Sequence, residues 1–276
     1  MTHPTLAATI TLAALISTGC RPTSPSPVAS PANSWRVACS PQLTDTRHVD
    51  DLPVEVAQFE TVFWDEADTR SLRELLRQTG CRGESVLEIG VGTGLLSLCC
   101  LQAGAGAVIG TDINPNALCN AAYNAERILG LPMSQPSTRW SARSPGADVA
   151  PRLQLRWVSR DDPEAFAVIE PSEKFDLIVS NPPWEDGKPQ QWADYAFYDE
   201  DFRLLDSLLA GLPSRLNRGG RCLLAYGCVT AVRTALERAP RYGLRAEIRD
   251  DRDLNSLPEI FTPGMLIEVR LTGSRE

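Results

Sequence analysis

Four consecutive residues at the end of an apolar run have the types and spacing needed to orient a planar nitrogen. Residues 175–180 lead directly into Asn181-Pro182-Pro183-Trp184. The side-chain carbonyl of Asn181 and the backbone carbonyl of Pro182 can each accept one N–H of an amide or an exocyclic amine, and would stabilise the positive charge that develops as that nitrogen attacks. Proline fixes φ and has no N–H, so these carbonyls are held without competing donors. Trp184 adds a flat face for stacking.

The same residues also fit a purely structural interpretation. Two prolines after a strand form a rigid turn, and Trp184 can be a core residue behind that turn. The choice between the two interpretations depends on what other residues reach the same end of the sheet.

A glycine-rich turn precedes these residues, with the sequence EIGVGTG over residues 88–94. It falls where a strand-like run gives way to a helical one. Glycine permits tight turns and close approach of a ligand to the backbone, and a helix start offers free N–H groups to polar ligand atoms. The dinucleotide fingerprint G-x-G-x-x-G requires glycine at position 95, where Leu95 stands. This difference disfavours a nicotinamide-dependent oxidoreductase.

Asp112 lies near the end of the next apolar run, AVIGTDI, which covers residues 107–113. In a doubly wound sheet this position lies beside the first glycine turn, where a carboxylate can accept two hydrogen bonds from a ribose diol. Ile113 can then pack on a purine face. The alternative is that Asp112 caps the helix that begins at Asn114-Pro115.

Together these features resemble the class I S-adenosylmethionine-dependent methyltransferases. G-x-G-x-G spacing after an acidic strand end resembles their motif I, and Asn181-Pro182-Pro183-Trp184 resembles the [ND]-P-P-[YFW] motif of members that methylate planar nitrogens. That group includes release-factor glutamine and adenine- or guanine-N methyltransferases, in the "methyltransferase small domain" branch. The resemblance covers roughly residues 55–272.

The resemblance implies S-adenosylmethionine as cofactor and assigns roles at the matching positions. It implies catalytic roles for Asn181, Pro182 and Trp184. Cofactor contacts are implied for Glu88, Gly90, Gly92, Thr93, Gly94, Asp112, Ile113, Asp161 and Asn181. Family members often place an acidic or polar residue after the third strand, near the adenine amino group, and Asp161 or Asp162 could take this role. A helix cap before Pro163 is the alternative.

The resemblance leaves the methyl acceptor open between a protein side chain, a nucleobase and a small amine. Trp184 replaces the tyrosine or phenylalanine common in better-known relatives, so their substrates do not transfer. The segment before the first helix resembles the short lead-in that relatives lay over the cofactor, with Phe63, Trp64 and Thr69 as candidates. Residues 191–202 are aromatic and acidic, and we expect them to flank the substrate entrance.

Helical and strand-like segments alternate from Val54 onward, which predicts an α/β fold with a doubly wound, mostly parallel sheet and helices on both faces. The resemblance implies seven strands. The predicted strands are 85–90, 107–113, 152–159, 175–180, 220–227, 244–250 and 264–272, and the predicted helices are 66–79, 94–104, 115–130, 199–217 and 229–239. A break is expected near Gly211-Leu212-Pro213, and residues 131–151 are expected to form a surface loop.

The first 50 residues have a different composition from the 51–276 methyltransferase domain. Residues 1–20 hold an apolar run too short to span a bilayer and end in Ser-Thr-Gly-Cys20, which resembles a bacterial lipoprotein signal with a lipid on Cys20. Residues 21–50 are Pro/Ser-rich and predict a disordered linker. The missing Lys or Arg before the run favours a plain disordered extension instead.

This N-terminal segment sets up two hypotheses about function and location. A cytoplasmic enzyme is expected because S-adenosylmethionine is a cytoplasmic metabolite. The alternative is a non-catalytic, membrane-tethered lipoprotein with a methyltransferase-like fold.

Composition bears on the partners and on metal binding. The net charge is −8, which disfavours sequence-independent nucleic-acid binding because that binding is driven by bulk cationic charge. The chain has eight cysteines and two histidines but no C-x-x-C pair, so a zinc site is not expected.

Overall fold

The computed structural model describes residues 42–130, 133–134, 139–142 and 152–273. All of them fall within the unit Trp35–Glu276. The predictions for Cys20 and for residues 21–41 therefore lie outside the described residues. No helix within the described ranges is both long and apolar enough to cross a membrane.

Eleven strands and five α-helices are found in this part of the chain. The strands are β1 Leu43–Arg47, β2 Val56–Phe59, β3 Ser85–Ile89, β4 Ala107–Asp112, β5 Met133–Ser134, β6 Arg139–Ala142, β7 Leu153–Trp157, β8 Phe175–Ser180, β9 Leu216–Cys228, β10 Leu244–Ile248 and β11 Ile260–Leu271. The helices are α1 Arg70–Thr79, α2 Leu95–Gln102, α3 Pro115–Leu129, α4 Arg203–Arg215 and α5 Val229–Arg238.

Nine of the strands form one sheet in the order β10-β11-β9-β8-β3-β4-β7-β6-β5. Strands β7, β4, β3, β8 and β9 pair in parallel. Strand β11 is antiparallel to β9, and β10 is antiparallel to β11. The predicted doubly wound, mostly parallel fold with seven strands is confirmed by the seven from β10 to β7.

The remaining two strands of the sheet extend its edge where a loop was predicted. Strands β5 and β6 form an antiparallel pair, and β6 continues onto β7. The surrounding segment is rich in proline and serine, so its own pattern predicts no strand. The open edge of β7 supplies the partner that the local sequence does not reveal.

A second, two-stranded sheet is formed by β1 and β2. All five residues of β1 are exposed, so they carry no alternating apolar pattern. These residues fall within the predicted linker 21–50, but they form a strand in the structure. Pairing with β2, rather than burial, is what orders them.

Helix α4 is continuous through the expected break. The Phe166 ring packs directly against Gly211. A side chain there would clash, because a Cβ would lie 2.3 Å from the ring. Pro213 lies in the last turn, where loss of one backbone N–H does little to the rest of the helix. Helix α1 begins at Arg70 instead of at 66, which leaves residues 65–69 free to approach the carboxyl edge of the sheet.

Candidate active site

One cavity of about 370 Å³ opens at the carboxyl ends of β3, β4 and β8. These neighbouring strands are parallel, so the residues that follow them meet at the same edge of the sheet. The lining combines the glycine turn after β3, the end of β4, the start of the segment after β8, the lead-in before α1, and residues near the start of α4.

The glycine turn has backbone angles that favour glycine. Gly90, Gly92 and Gly94 have φ of 79°, 50° and 85°. A Cβ at Gly90 would meet nothing within 4 Å, whereas one at Gly94 would lie 3.0 Å from Ala121 Cβ. Gly90 thus leaves open space beside the cavity, and Gly94 permits close packing of α2 on α3. Such a turn suits a ligand that lies against the backbone.

Asp112 faces this turn. Its Oδ2 accepts a hydrogen bond from Gly92 N at 2.9 Å, and its Oδ1 accepts one from Asn114 N at 2.8 Å. Burial raises the pKa of Asp112 to about 6, so the group is mostly a carboxylate at neutral pH. Each oxygen keeps a lone pair for a further donor. Asn114, not Asp112, caps α3, because its side chain accepts from Asn116 N.

Glu88 lines the cavity from β3 but is almost completely buried. Ser97 on α2 donates a hydrogen bond to Glu88 Oε2. Burial raises the pKa of Glu88 to about 8, so this carboxyl is neutral at pH 7. Glu88 therefore joins β3 to α2, and its role as a direct cofactor ligand remains a prediction.

Glu88→Gln is expected to raise stability at alkaline pH. A carboxyl whose pKa rises from 4.5 to about 8 on folding contributes stability that is complete below pH 4.5 and is lost as pH rises through 8. Glutamine keeps an acceptor for Ser97 and does not ionise. The melting temperatures of variant and wild type should agree near pH 5 and differ by on the order of 5 °C at pH 9 in favour of the variant. A difference in melting temperature between variant and wild type that stays constant from pH 5 to pH 9 would contradict the assignment.

The lead-in is the segment from β2 to the start of α1, residues 56–69. Two completely buried asparagines, which were not predicted from the sequence, fix it to α3. Asn120 Oδ1 accepts from Phe59 N at 2.8 Å, and Asn124 Oδ1 accepts from Ala57 N at 2.9 Å. Asn124 Nδ2 also donates to Thr93 O at 2.8 Å, which joins β2 to the glycine turn. The available signal was two asparagines four residues apart on an otherwise apolar helix face.

Further along the lead-in, Asn114 Nδ2 donates to Thr61 O at 2.8 Å. The residues after Thr61 then reach the cavity, and the predicted candidates Phe63, Trp64 and Thr69 are all in its lining. Asn114, which caps α3, and the α3 residues Asn120 and Asn124 thus hold the segment that covers the glycine turn.

Asn181 and Pro182 line the cavity, but Trp184 does not. Its indole packs against Gly227, so closely that a Cβ at that position would lie 2.3 Å from the ring. Its Nε1 donates to Asn181 Oδ1 at 3.1 Å. The expected stacking face is therefore turned toward β9, and the structure gives Trp184 the position of a residue that orients Asn181.

Asp68 forms a hydrogen bond with the Asn181 side chain and was not identified from the sequence. It is almost completely buried, and burial raises its pKa to about 7 while hydrogen bonding with the Asn181 side chain lowers it. The Asn181 amide thus has an indole donor on its oxygen and a carboxyl acceptor near its nitrogen. These two neighbours define which way the amide points.

Asp161 is exposed and is not among the cavity-lining residues. Its backbone N donates to Ser159 Oγ at 3.2 Å, as in a local turn. From the same loop, Arg160, Pro163 and Glu164 line the cavity instead. The structure therefore does not bring Asp161 to the site, because the loop turns its neighbours inward.

Residues 185–199 form the outer wall of the cavity as a closed loop. Glu185 N donates to Phe197 O at 3.0 Å, and Asp199 N donates to Glu185 O at 2.9 Å. The Arg160 guanidinium lies 3.6 Å from the centre of the Trp192 ring. This loop overlaps residues 191–202, the aromatic and acidic stretch that was expected to flank the substrate entrance.

The chain is similar to known methyltransferases in sequence and in structure. The family model for ribosomal protein L11 methyltransferase matches residues 68–181. A Methanocaldococcus jannaschii protein named "Putative protein N5-glutamine methyltransferase" is 30% identical over 173 residues, which is 60% of this chain and 74% of that protein. A ribosomal protein L11 methyltransferase of Cupriavidus taiwanensis is 44% identical over 59 residues, but these cover only 21% of this chain and 20% of that protein.

Among solved structures, a T. thermophilus 16S rRNA methyltransferase in complex with AdoMet and guanosine has a TM-score of 0.50 and 17% identity. The match covers 84% of this chain and 51% of that one. At this identity the likeness concerns the fold.

Proposed function

The chain belongs to the class I S-adenosylmethionine-dependent methyltransferases, and from this premise we propose that it methylates the side-chain amide nitrogen of glutamine in a protein substrate. The observation that carries the proposal is the Asn181 amide, oriented by Trp184 and Asp68, in the same cavity as the glycine turn and Asp112. The name of the M. jannaschii relative supports glutamine as the acceptor.

The residues of the cavity fit this cofactor. Asp112 has free acceptor capacity for the two ribose hydroxyls, Ile113 lies beside it for the purine, and the turn around Gly90 is open to close approach. Bound S-adenosylmethionine supplies a methyl group on a positively charged sulfur, which departs as a neutral thioether. The protein's part is therefore to hold the cofactor, exclude water and aim the acceptor nitrogen.

Asn181 and Pro182 orient the acceptor nitrogen. An amide nitrogen is a poor nucleophile because its lone pair is shared with the carbonyl group. The Asn181 Oδ1 and the Pro182 carbonyl oxygen can each accept one of its N–H groups, which orients the nitrogen and stabilises its positive charge during attack. When the new C–N bond has formed, the nitrogen carries a positive charge and releases one N–H proton to solvent, so no strong base is required.

Asn181 needs to be rigid to do this. Its Oδ1 already accepts from Trp184 Nε1 at 3.1 Å and retains a second lone pair for the acceptor's N–H. The neighbouring prolines fix the backbone on which it stands.

Because S-adenosylmethionine is a cytoplasmic metabolite, we also propose that the enzyme acts in the cytoplasm.

The test is transfer of a radioactive methyl group from labelled S-adenosylmethionine into a cell extract fractionated into protein, nucleic acid and small molecules. We expect label in the protein fraction, and mass spectrometry of digested protein should find N5-methylglutamine. Asn181→Ala should give no label above background. Label confined to nucleic acid or to small molecules would show that the acceptor is wrong while leaving the methyltransferase assignment intact.

A further inference from the structure

Three exposed aromatic side chains border the entrance of the cavity, and we call them the entrance patch: Phe63, Phe197 and Tyr198. They are 37–39% exposed and are half of the six large apolar side chains that are exposed among the described residues. The Phe63 and Phe197 rings lie 4.7 Å apart, and those of Phe197 and Tyr198 lie 6.4 Å apart. A contiguous apolar patch beside a catalytic cavity is typical of a binding surface.

The entrance patch rests on an ordered support. Phe197 and Tyr198 belong to the loop closed by the two backbone hydrogen bonds of Glu185. The Tyr198 ring packs against Gly187, so closely that a Cβ at that position would lie 2.6 Å from Tyr198 Cδ1. Phe63 belongs to the lead-in, which is held by the hydrogen bond from Asn114, the cap of α3, to Thr61 O. The patch is therefore preformed, which lowers the entropy cost of binding a partner.

The chain segment that carries Phe197 and Tyr198 is acidic. Residues 185–203 contain six acidic residues and two basic ones, Lys188 and Arg203. Lys188 lies 3.6 Å from Glu200, which neutralises part of its charge. The exposed carboxylates of Asp65, Glu185 and Asp186 take part in no ion pair within the described part of the chain. Charges of one sign around a cleft attract a ligand of the opposite sign.

From these observations we infer that the entrance patch and its surrounding carboxylates dock a cationic polypeptide segment that carries the acceptor glutamine. Lysine and arginine side chains combine an apolar stem with a charged head, so they can lie on aromatic faces and still reach carboxylates. The acidic surroundings oppose the phosphates of RNA or DNA. The inference rests on the proposed function, since it concerns the segment around the acceptor residue.

The experiment measures binding separately from turnover. Fluorescently labelled peptides with a central glutamine, flanked by either Lys and Arg or Glu and Asp but otherwise identical, are titrated with the full chain in S-adenosylhomocysteine. Fluorescence anisotropy should show that the basic peptide binds at least about 10-fold more tightly, and that added salt weakens its binding.

Variants locate the surface. Glu185→Lys combined with Asp186→Lys, and separately Phe197→Ala, should each weaken binding of the basic peptide by about 10-fold. Glu237→Lys is the matched control, because Glu237 is exposed on α5 and lies outside the cavity lining. It should change the affinity less than twofold.

Three results would overturn the inference: equal affinity for the two peptides, no measurable binding of either, or an equal loss in the Glu237→Lys control. The proposed function fails in a different way. If the basic peptide binds selectively but its glutamine receives no label from S-adenosylmethionine, the docking surface stands and the acceptor assignment is wrong.

Discussion

Asn181→Ala is expected to lower the turnover number by about 100- to 1,000-fold while leaving the affinity for S-adenosylmethionine nearly unchanged. The substitution removes one of the two acceptors that orient the methyl-accepting nitrogen, and loss of one such preorganised group typically has an effect of this size. It also leaves Trp184 Nε1 and Asp68 without their shared neighbour. Single-turnover kinetics and calorimetry with S-adenosylhomocysteine separate the two effects.

Asn217→Ala is the matched control for this prediction. Asn217 stands near the beginning of β9, donates to Asp176 Oδ1 at 2.7 Å, and lies outside the cavity lining. The same change of side chain there should leave the turnover number within about twofold. If Asn181→Ala retains normal turnover, Asn181 does not aim the acceptor. If it mainly weakens cofactor binding, Asn181 acts on the cofactor instead.

Asp112→Ala is expected to weaken cofactor binding by at least about 100-fold. The variant loses two charge-assisted hydrogen bonds to the ribose, each worth about 1.5–3 kcal/mol, and every 1.4 kcal/mol is about tenfold in affinity. It also loses the bonds from Gly92 N and Asn114 N, so the glycine turn is less firmly held. Calorimetry with S-adenosylhomocysteine measures the change, and Asp251→Ala, an exposed site remote from the lining, is the control.

The pH dependence of binding provides an independent check on Asp112. Its pKa of about 6 means that the carboxylate takes up a proton as pH falls through 6, and a protonated carboxyl is a weaker acceptor for two hydroxyls. Wild-type affinity should therefore decrease between pH 7.5 and pH 5. Asp112→Asn should bind weakly at every pH, with a flatter profile. Normal affinity in Asp112→Ala would exclude the ribose role.

Features that depend on local chemistry follow from the sequence alone. The glycine turn requires residues that accept positive φ, and Gly90, Gly92 and Gly94 meet that need wherever the turn is placed. Parallel strands bring their carboxyl ends to one edge, so Asp112 and Asn181 must lie near this turn once the strand order is known. The alternation of strands and helices predicts a mostly parallel, doubly wound sheet, and the order of its strands comes from the structure.

Features that depend on non-local neighbours were decided only by the tertiary structure. Trp184 turns away from the cavity because Gly227 on β9 leaves space for its ring. Asp68 reaches Asn181 because α1 begins later than its pattern predicts. Arg160 rather than Asp161 faces the cavity, and β1 and β5 are strands only because partners pair with them. The direction of a side chain after a turn, and the pairing of an edge strand, depend on packing between distant segments, which residue type and spacing do not encode.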